Sequence, residues 1–137
     1  MAERESQIVL GLDPDPGALW PQAAEGSPGV HLSATASAVL AHSRALIDAT
    51  AEACVAVKLQ LARFEVLGAD GRSVMGELAD HARRLGLTVI ADGKRGDIDV
   101  TAAAYASALF AGIDAPDGPV PGLGADLVTV NPLMGRD

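Results

Sequence analysis

Residues 87–97 read LTVIADGKRGD, and this stretch decides the fold. It opens with a short apolar run, rich in β-branched residues, that ends at the charged residue Asp92. This composition is typical of a buried strand. An amphipathic pattern ends just before it at Gly86, where a helix C-terminal glycine belongs. Another helical pattern begins at about Val100. The stretch therefore predicts a strand that lies between two helices.

Three further apolar runs have the same character. They cover residues 8–12, 54–60 and 126–131. Between the four runs, apolar residues recur at helical spacing. The predicted helices run from a cap at Ser33 or Thr35 to about residue 52, from 72 to 85 and from 100 to 111. Loops rich in proline and glycine are predicted at about 14–32 and 112–125.

The predicted order is therefore β-α-β-α-β-α-β. Continuous apolar strands that alternate with amphipathic helices indicate an α/β fold with a parallel sheet covered by helices. Two architectures fit this order, an open doubly wound sheet or part of a (β/α)₈ barrel. The sequence has no GxGxxG after the first strand and no GxxxxGK[ST], which argues against a dinucleotide-binding or P-loop protein.

Composition limits the classes of function. The chain has 137 residues, 49% hydrophobic and 20% charged, which predicts a single globular domain over residues 1–137. A net charge of −8 and 3% aromatic residues argue against nucleic-acid binding. No apolar run approaches a membrane span and no signal peptide is evident, so we expect a cytoplasmic protein. The lone Cys54 and scattered histidines argue against a zinc site.

Polar residues stand at the carboxyl ends of all four predicted strands. They are Asp13, Lys58, Asp92 and Asn131. Ligands bind at this edge of parallel α/β proteins, so we expect the four side chains to converge there. Asn131 either lines the pocket or closes the loop to Pro132.

The third strand end carries the pattern D-x-K-x-x-D, formed by Asp92, Lys94 and Asp97. Because side chains alternate along a strand, Asp92 and Lys94 are expected on one face, as are Lys58 and Gln60 on the neighbouring strand. Nearby carboxylates favour a charged lysine, and a fixed ammonium can act as a general acid. The alternative interpretation is a salt-bridge network on a surface loop.

Several motifs together resemble one family. They are IADGKRGDIDVT at 90–101, GLDPDP at 11–16, VKLQ at 57–60 and ADLVTVNPLMGRD at 125–137. They are similar to the orotidine 5′-phosphate decarboxylases, in particular to a branch with longer loops. The resemblance implies a homodimeric (β/α)₈ barrel that converts orotidine 5′-phosphate to uridine 5′-phosphate and CO₂, in pyrimidine biosynthesis, without metal or cofactor.

The resemblance also implies residue roles. Asp13 would bind the ribose hydroxyls, and Lys58 would hold a ribose hydroxyl and orient Asp92. Asp92 would lie against the substrate carboxylate, while Lys94 would deliver a proton to C6 of the pyrimidine. Three further residues would reach into the active site of the partner subunit: Asp97, Ile98 and Thr101.

The number of strands sets an expectation about completeness. A barrel of this type has eight strands and about 250 residues, and four strands are predicted here. Its phosphate site usually follows strands seven and eight. We therefore expect the N-terminal half of a longer enzyme, inactive or weakly active by itself.

Two other functions remain open. Magnesium-dependent sugar-phosphate decarboxylases and hexulose-phosphate synthases share D-x-K-x-x-D, but they carry an acidic metal ligand where this chain has Lys58. A cation there would repel Mg²⁺. The second alternative is a non-catalytic half-barrel that serves as a binding or assembly module.

Overall fold

A computed structural model describes residues 5–24 and 32–134. In chain order its elements are β1 (Ile8–Leu12), α1 (Pro21–Ala24), α2 (Ala34–Thr50), β2 (Cys54–Gln60), α3 (Leu61–Glu65), α4 (Ala69–Arg84), β3 (Thr88–Arg95), α5 (Asp99–Leu109), β4 (Ile113–Ala115), β5 (Gly118–Val120), β6 (Leu127–Val130) and a 3₁₀ turn (Pro132–Met134).

Four of the strands form one parallel sheet in the order β1-β2-β3-β6. They are the four strands that the apolar runs predict, so the α/β prediction of parallel β/α units is confirmed. Each strand lies beside the next one of the sheet in sequence, with helices in the connections. This sequential order is that of a barrel half rather than of a doubly wound sheet, in which the order reverses.

Alternation along the central strands divides the sheet into two faces. Val57 and Leu59 on β2, and Val89 and Ala91 on β3, are fully buried in the hydrophobic core. Residues of α2 and α4 complete this core, for example Ile47, Val74 and Leu78. Each buried valine, leucine or isoleucine side chain among them contributes about 1.5–3 kcal/mol of hydrophobic stabilisation. Lys58, Gln60 and Asp92 alternate with the core residues and lie on the other face.

The end of α4 sets the entry into β3. Gly86 follows the helix with φ +72°, a left-handed conformation that glycine adopts without strain. The Leu87 amide donates to the Ala82 carbonyl at 3.0 Å, and the Gly86 amide donates to the Arg83 carbonyl at 2.9 Å. These two bonds form a Schellman motif and confirm the predicted helix stop. At the other predicted cap, the Ser33 hydroxyl accepts from the Ala36 amide at the start of α2.

Short elements were missed in the predicted loops. The loop predicted at 112–125 contains the antiparallel hairpin of β4 and β5, which turns at Gly118 with φ +120°. Three-residue strands are too short for a periodic pattern, so the proline and glycine content concealed them. The loop predicted at 14–32 contains α1, and its residues 25–31 lie outside the described part. Helix α3 was also missed, and α4 begins at Ala69 rather than at residue 72.

Strands β1 and β6 form the two edges of the sheet. Apolar side chains are exposed on both, including Ile8 at 59%, Leu127 at 55% and Val130 at 65%. Each edge strand leaves one row of backbone donors and acceptors outside the four-stranded ladder. Across residues 5–24 and 32–134, no helix combines the length and the apolar character needed to span a membrane.

Candidate active site

The site is a cluster of three charged side chains at the carboxyl ends of β2 and β3. These strands pair in parallel with Gln60 opposite Asp92, which brings Lys58 and Asp92 onto one face. Lys58 Nζ lies 2.8 Å from Asp92 Oδ2, and Lys94 Nζ lies 2.7 Å from Asp92 Oδ1. One carboxylate thus bridges two ammonium groups, and these are the only two lysines of the 137 residues.

Thr129 on β6 completes the hydrogen bonding of Asp92. Its hydroxyl donates to Asp92 Oδ1 at 2.7 Å and accepts from the Lys94 amide at 3.0 Å. Sequence reasoning missed Thr129, although a signal existed. It lies two positions before Asn131, so alternation places it on the same face as that polar strand end.

Gln60 lies beside the same group. In the orientation of the Gln60 side-chain amide that gives both of its atoms a partner, the nitrogen donates to the Asp92 backbone carbonyl at 2.9 Å. The oxygen accepts from Lys94 Nζ at 3.2 Å. The predicted shared face of Lys58 and Gln60 is therefore confirmed. Gln60 gives Lys94 a second acceptor besides the Asp92 carboxylate.

The electrostatics of the cluster favour a charged carboxylate. Asp92 is 6% exposed, and burial alone would favour its neutral form. The hydrogen bond from Lys58 is the largest opposing influence, followed by those from Lys94 and Thr129, and together they hold the pKa of Asp92 well below its usual range. Two ammonium groups against one carboxylate leave one positive charge in excess. The Lys94 side chain is 64% exposed, so this charge is accessible to an anionic ligand.

The backbone, rather than strand alternation alone, aims Lys94 at Asp92. The pairing of β3 with β6 shifts register between Ala91 and Arg95, and Lys94 has φ +48°. This left-handed residue interrupts the regular pleat. The predicted proximity of Asp92 and Lys94 is confirmed, but the simple alternation argument for it was incomplete. Gly93 permits the close packing, because a Cβ there would lie 2.9 Å from a methyl carbon of Leu61.

Among the described residues, Asp13 and Asn131 form no bond to the side chains of Lys58, Asp92 and Lys94, so the convergence of all four polar strand ends stays a prediction. Asp13 is exposed beyond β1 and lines a separate cavity of about 260 Å³ with His42 and Ser43. Asn131 is exposed, and its Oδ1 accepts from the Leu133 amide at 3.0 Å. This bond closes the turn after β6, as one of the two interpretations of Asn131 predicted.

Asp97 and Ile98 lie between β3 and α5, Thr101 lies in the first turn of α5, and all three are exposed. Asp97 Oδ1 accepts from the Ile98 amide at 2.9 Å. In the described part of the chain Asp97 forms no ion pair with either lysine. The second aspartate of D-x-K-x-x-D is therefore not bonded to the lysine of the motif in the described residues. Asp97 and Ile98 instead line a cavity of about 270 Å³ between α5 and β6.

Arg95 fixes the base of this segment. Its guanidinium forms an ion pair with Glu65 of α3 and lies 5.3 Å from the ring centroid of Tyr105 on α5. These contacts give Arg95 a structural role within the chain. Within residues 5–24 and 32–134, no group of three or more His, Cys, Asp or Glu side chains is placed to hold a metal ion.

The fold and the cluster define a class of protein: a parallel β/α chain of barrel type with a lysine–carboxylate site at the carboxyl ends of its strands. The family model described as "Orotidine 5'-phosphate decarboxylase / HUMPS family" matches residues 6–137. The chain belongs to this family.

Individual relatives agree with the family model. The chain is 40% identical over 132 residues to an orotidine 5′-phosphate decarboxylase of Roseiflexus sp. (strain RS-1), covering 96% of this chain and 41% of that protein. It is 37% identical over 137 residues to one of Azoarcus sp. (strain BH72), covering 98% and 43%. The structure of the Leishmania donovani OMP decarboxylase superposes with a TM-score of 0.72 at 31% identity, covering 99% of this chain and 44% of that one. The chain thus spans less than half the length of these relatives and corresponds to a half-barrel.

Proposed function

We propose that the protein decarboxylates orotidine 5′-phosphate to uridine 5′-phosphate and CO₂, a step of pyrimidine nucleotide biosynthesis. The observation that carries this proposal is the Asp92 carboxylate held between two ammonium groups, with Lys94 exposed. The names of the relatives supply the substrate. Because a phosphorylated nucleotide is too highly charged to cross a bilayer unaided, we propose the cytoplasm as the compartment.

The chemistry needs a fixed acid beside an anion. The bond between C6 and the carboxylate breaks, CO₂ leaves, and the electron pair stays on C6. A Lys94 ammonium near C6 stabilises the growing negative charge and then transfers its proton to that carbon. Lys94 is left neutral and regains a proton from solvent. Asp92 lies near the leaving carboxylate, and its negative charge disfavours the bound substrate relative to the transition state.

The remaining predicted roles belong to the same proposal. Lys58 orients Asp92 through the 2.8 Å ion pair and holds a ribose hydroxyl. Asp13 binds ribose hydroxyls. It stands at the carboxyl end of β1, the strand beside the one that carries Lys58.

We propose a homodimer in which Asp97, Ile98 and Thr101 enter the partner's site. Their exposure, and the lack of an ion pair between Asp97 and either lysine in the described residues, support this arrangement. No metal ion or organic cofactor is needed for the proposed steps, because Lys94 supplies both the positive charge and the proton.

We also propose that residues 1–137 form the first four β/α units of an eight-unit barrel. The two open edges and the exposed apolar residues on β1 and β6 support this proposal. Four further units would pair with both edges and supply the phosphate-binding loops, which in such barrels follow the last two strands. The coverage of 41% and 43% of the relatives agrees with this division.

The test is turnover by the purified eight-unit protein that contains residues 1–137, because residues 1–137 alone are expected to be inactive or weakly active. Orotidine 5′-phosphate labelled with ¹³C in its carboxylate should release labelled CO₂ and yield uridine 5′-phosphate, at an equal rate with Mg²⁺ and with EDTA. Turnover of a hexulose phosphate that EDTA abolishes would instead favour the magnesium-dependent hexulose-phosphate synthases. Binding of nucleotide without turnover of either substrate would favour the non-catalytic half-barrel.

A further inference from the structure

We infer that Thr129 is a positioning residue, which sets the placement of the Lys94 ammonium and the rotation of the Asp92 carboxylate. The inference rests on the proposed function. Thr129 lies on β6, the strand that pairs with β3. In the described residues, its side chain is the only one from β6 that bonds to Asp92. It bonds to the Asp92 carboxylate and to the backbone amide of Lys94, the residue whose ammonium the proposed reaction uses.

The hydroxyl of Thr129 uses both of its hydrogen-bonding capacities at this point. It donates a hydrogen bond to Asp92 Oδ1 at 2.7 Å, and its oxygen accepts a hydrogen bond from the Lys94 backbone amide at 3.0 Å. A threonine hydroxyl has one donor, so this arrangement also sets the direction of its proton. Serine can make both bonds. Valine has nearly the same shape as threonine and can make neither.

The bond to the amide stabilises an unusual backbone. Lys94 has φ +48°, and a side-chain-bearing residue is strained in this left-handed region unless its surroundings hold it there. The left-handed turn directs the Lys94 side chain back to Asp92, only two residues earlier. Without the acceptor on Thr129, the amide loses the partner that holds this conformation.

The bond to the carboxylate fixes which oxygen meets which lysine. Oδ1 accepts from both Thr129 and Lys94, while Oδ2 accepts from Lys58. The hydroxyl therefore holds Oδ1 toward Lys94 and opposes rotation of the carboxylate. Because the Lys94 side chain is 64% exposed, solvent competes for its ammonium, and a misplaced Oδ1 would release it.

Loss of this hydroxyl should affect the chemical step more than substrate binding. Thr129 touches the proposed proton donor and its partner, and a small displacement of a reacting group lowers a rate steeply. We expect Thr129→Val to lower kcat by about 10- to 100-fold and to change KM by less than about threefold. Thr129→Ser should keep kcat within about threefold of wild type, and Thr129→Ala should behave as Thr129→Val.

A second readout needs no turnover. With ¹⁵N-lysine labelling, the Lys94 amide signal is assigned by its loss in Lys94→Arg, and its hydrogen exchange is followed in the substrate-free protein. Exchange should be at least about tenfold faster in Thr129→Val and Thr129→Ala, and close to wild type in Thr129→Ser. The Lys58 amide, inside the β2 ladder, serves as the internal control.

The outcomes separate the two proposals. If the wild-type eight-unit protein does not turn over orotidine 5′-phosphate, the proposed function fails, and the exchange measurement still decides whether Thr129 holds Lys94. Equal exchange in wild type, Thr129→Val and Thr129→Ala would overturn the positioning role. So would an active wild type with kcat unchanged in Thr129→Val, or a loss in Thr129→Ser as large as in Thr129→Val.

Discussion

Replacing Asp92 with asparagine tests the ion-pair cluster through stability. The carboxylate accepts hydrogen bonds from Lys58, Lys94 and Thr129. A hydrogen bond to a charged group contributes about 1.5–3 kcal/mol, but an ion pair as exposed as that of Lys94 contributes only about 0–1 kcal/mol. Asparagine keeps one acceptor oxygen and places its NH₂ against an ammonium. Most of the lost stability therefore comes from the hydrogen bond between Lys58 and Asp92. We expect Asp92→Asn to lower the unfolding free energy by about 2 kcal/mol at pH 7.

The pH dependence gives this prediction its sign. The pKa of Asp92 is depressed in the folded protein, first by Lys58 and then by Lys94 and Thr129. A carboxylate with a depressed folded pKa contributes stability above its unfolded pKa of about 3.9, and that stability is lost as the pH falls toward the folded value. The difference between wild type and Asp92→Asn should therefore be full at pH 7 and smaller at pH 3.

Urea unfolding followed by circular dichroism measures this difference. At a slope of about 2 kcal/mol per molar urea, the midpoint of Asp92→Asn should lie about 1 M below wild type at pH 7. Asp114→Asn, which removes the same charge from an exposed position on β4, is the matched control and should shift it by less than about 0.25 M. Midpoints that coincide for wild type and Asp92→Asn, or a gap as large at pH 3 as at pH 7, would refute the reasoning.

Two further predictions concern the scaffold. A Cβ at Gly71 would lie 1.8 Å from the Phe64 carbonyl oxygen, so Gly71→Ala should lower the unfolding free energy by about 3 kcal/mol. Gly76→Ala in the same helix meets nothing within 4 Å and should raise it by about 0.5–1 kcal/mol; equal effects in urea unfolding would contradict the packing argument. Ser33→Ala removes the cap of α2 and should cost about 1 kcal/mol, whereas Ser33→Thr should keep most of it, as thermal melts can measure.

The strands were predictable because each is an apolar run of strand length, and such runs are typical of parallel sheets. The glycine at the end of α4 was equally visible, since a Schellman motif demands a left-handed residue there. The hairpin of β4 and β5 was not visible, because three-residue strands carry no period.

The site was predictable only as far as neighbouring strands determine it. The parallel register of β2 and β3 brings Lys58 to Asp92, and sequence alternation anticipates that contact. The contribution of Thr129 depends on which strand lies beside β3 and on a left-handed Lys94, and both are tertiary properties. Asp13 was expected in the cluster because its strand ends at the same edge, but an edge position alone does not determine whether its carboxylate bonds to either lysine, and in the described residues it does not.

The central claim is that Lys94 protonates C6 as CO₂ leaves. The most direct test is the rate of ¹³CO₂ release from carboxyl-labelled orotidine 5′-phosphate by the eight-unit protein, as wild type and as Lys94→Ala. Arg84→Ala, which removes an exposed cation at the end of α4, is the control. A positioned general acid contributes about 10²- to 10⁴-fold, so Lys94→Ala should lose at least about 100-fold while Arg84→Ala stays within about twofold of wild type. Release by Lys94→Ala at the wild-type rate would contradict the account.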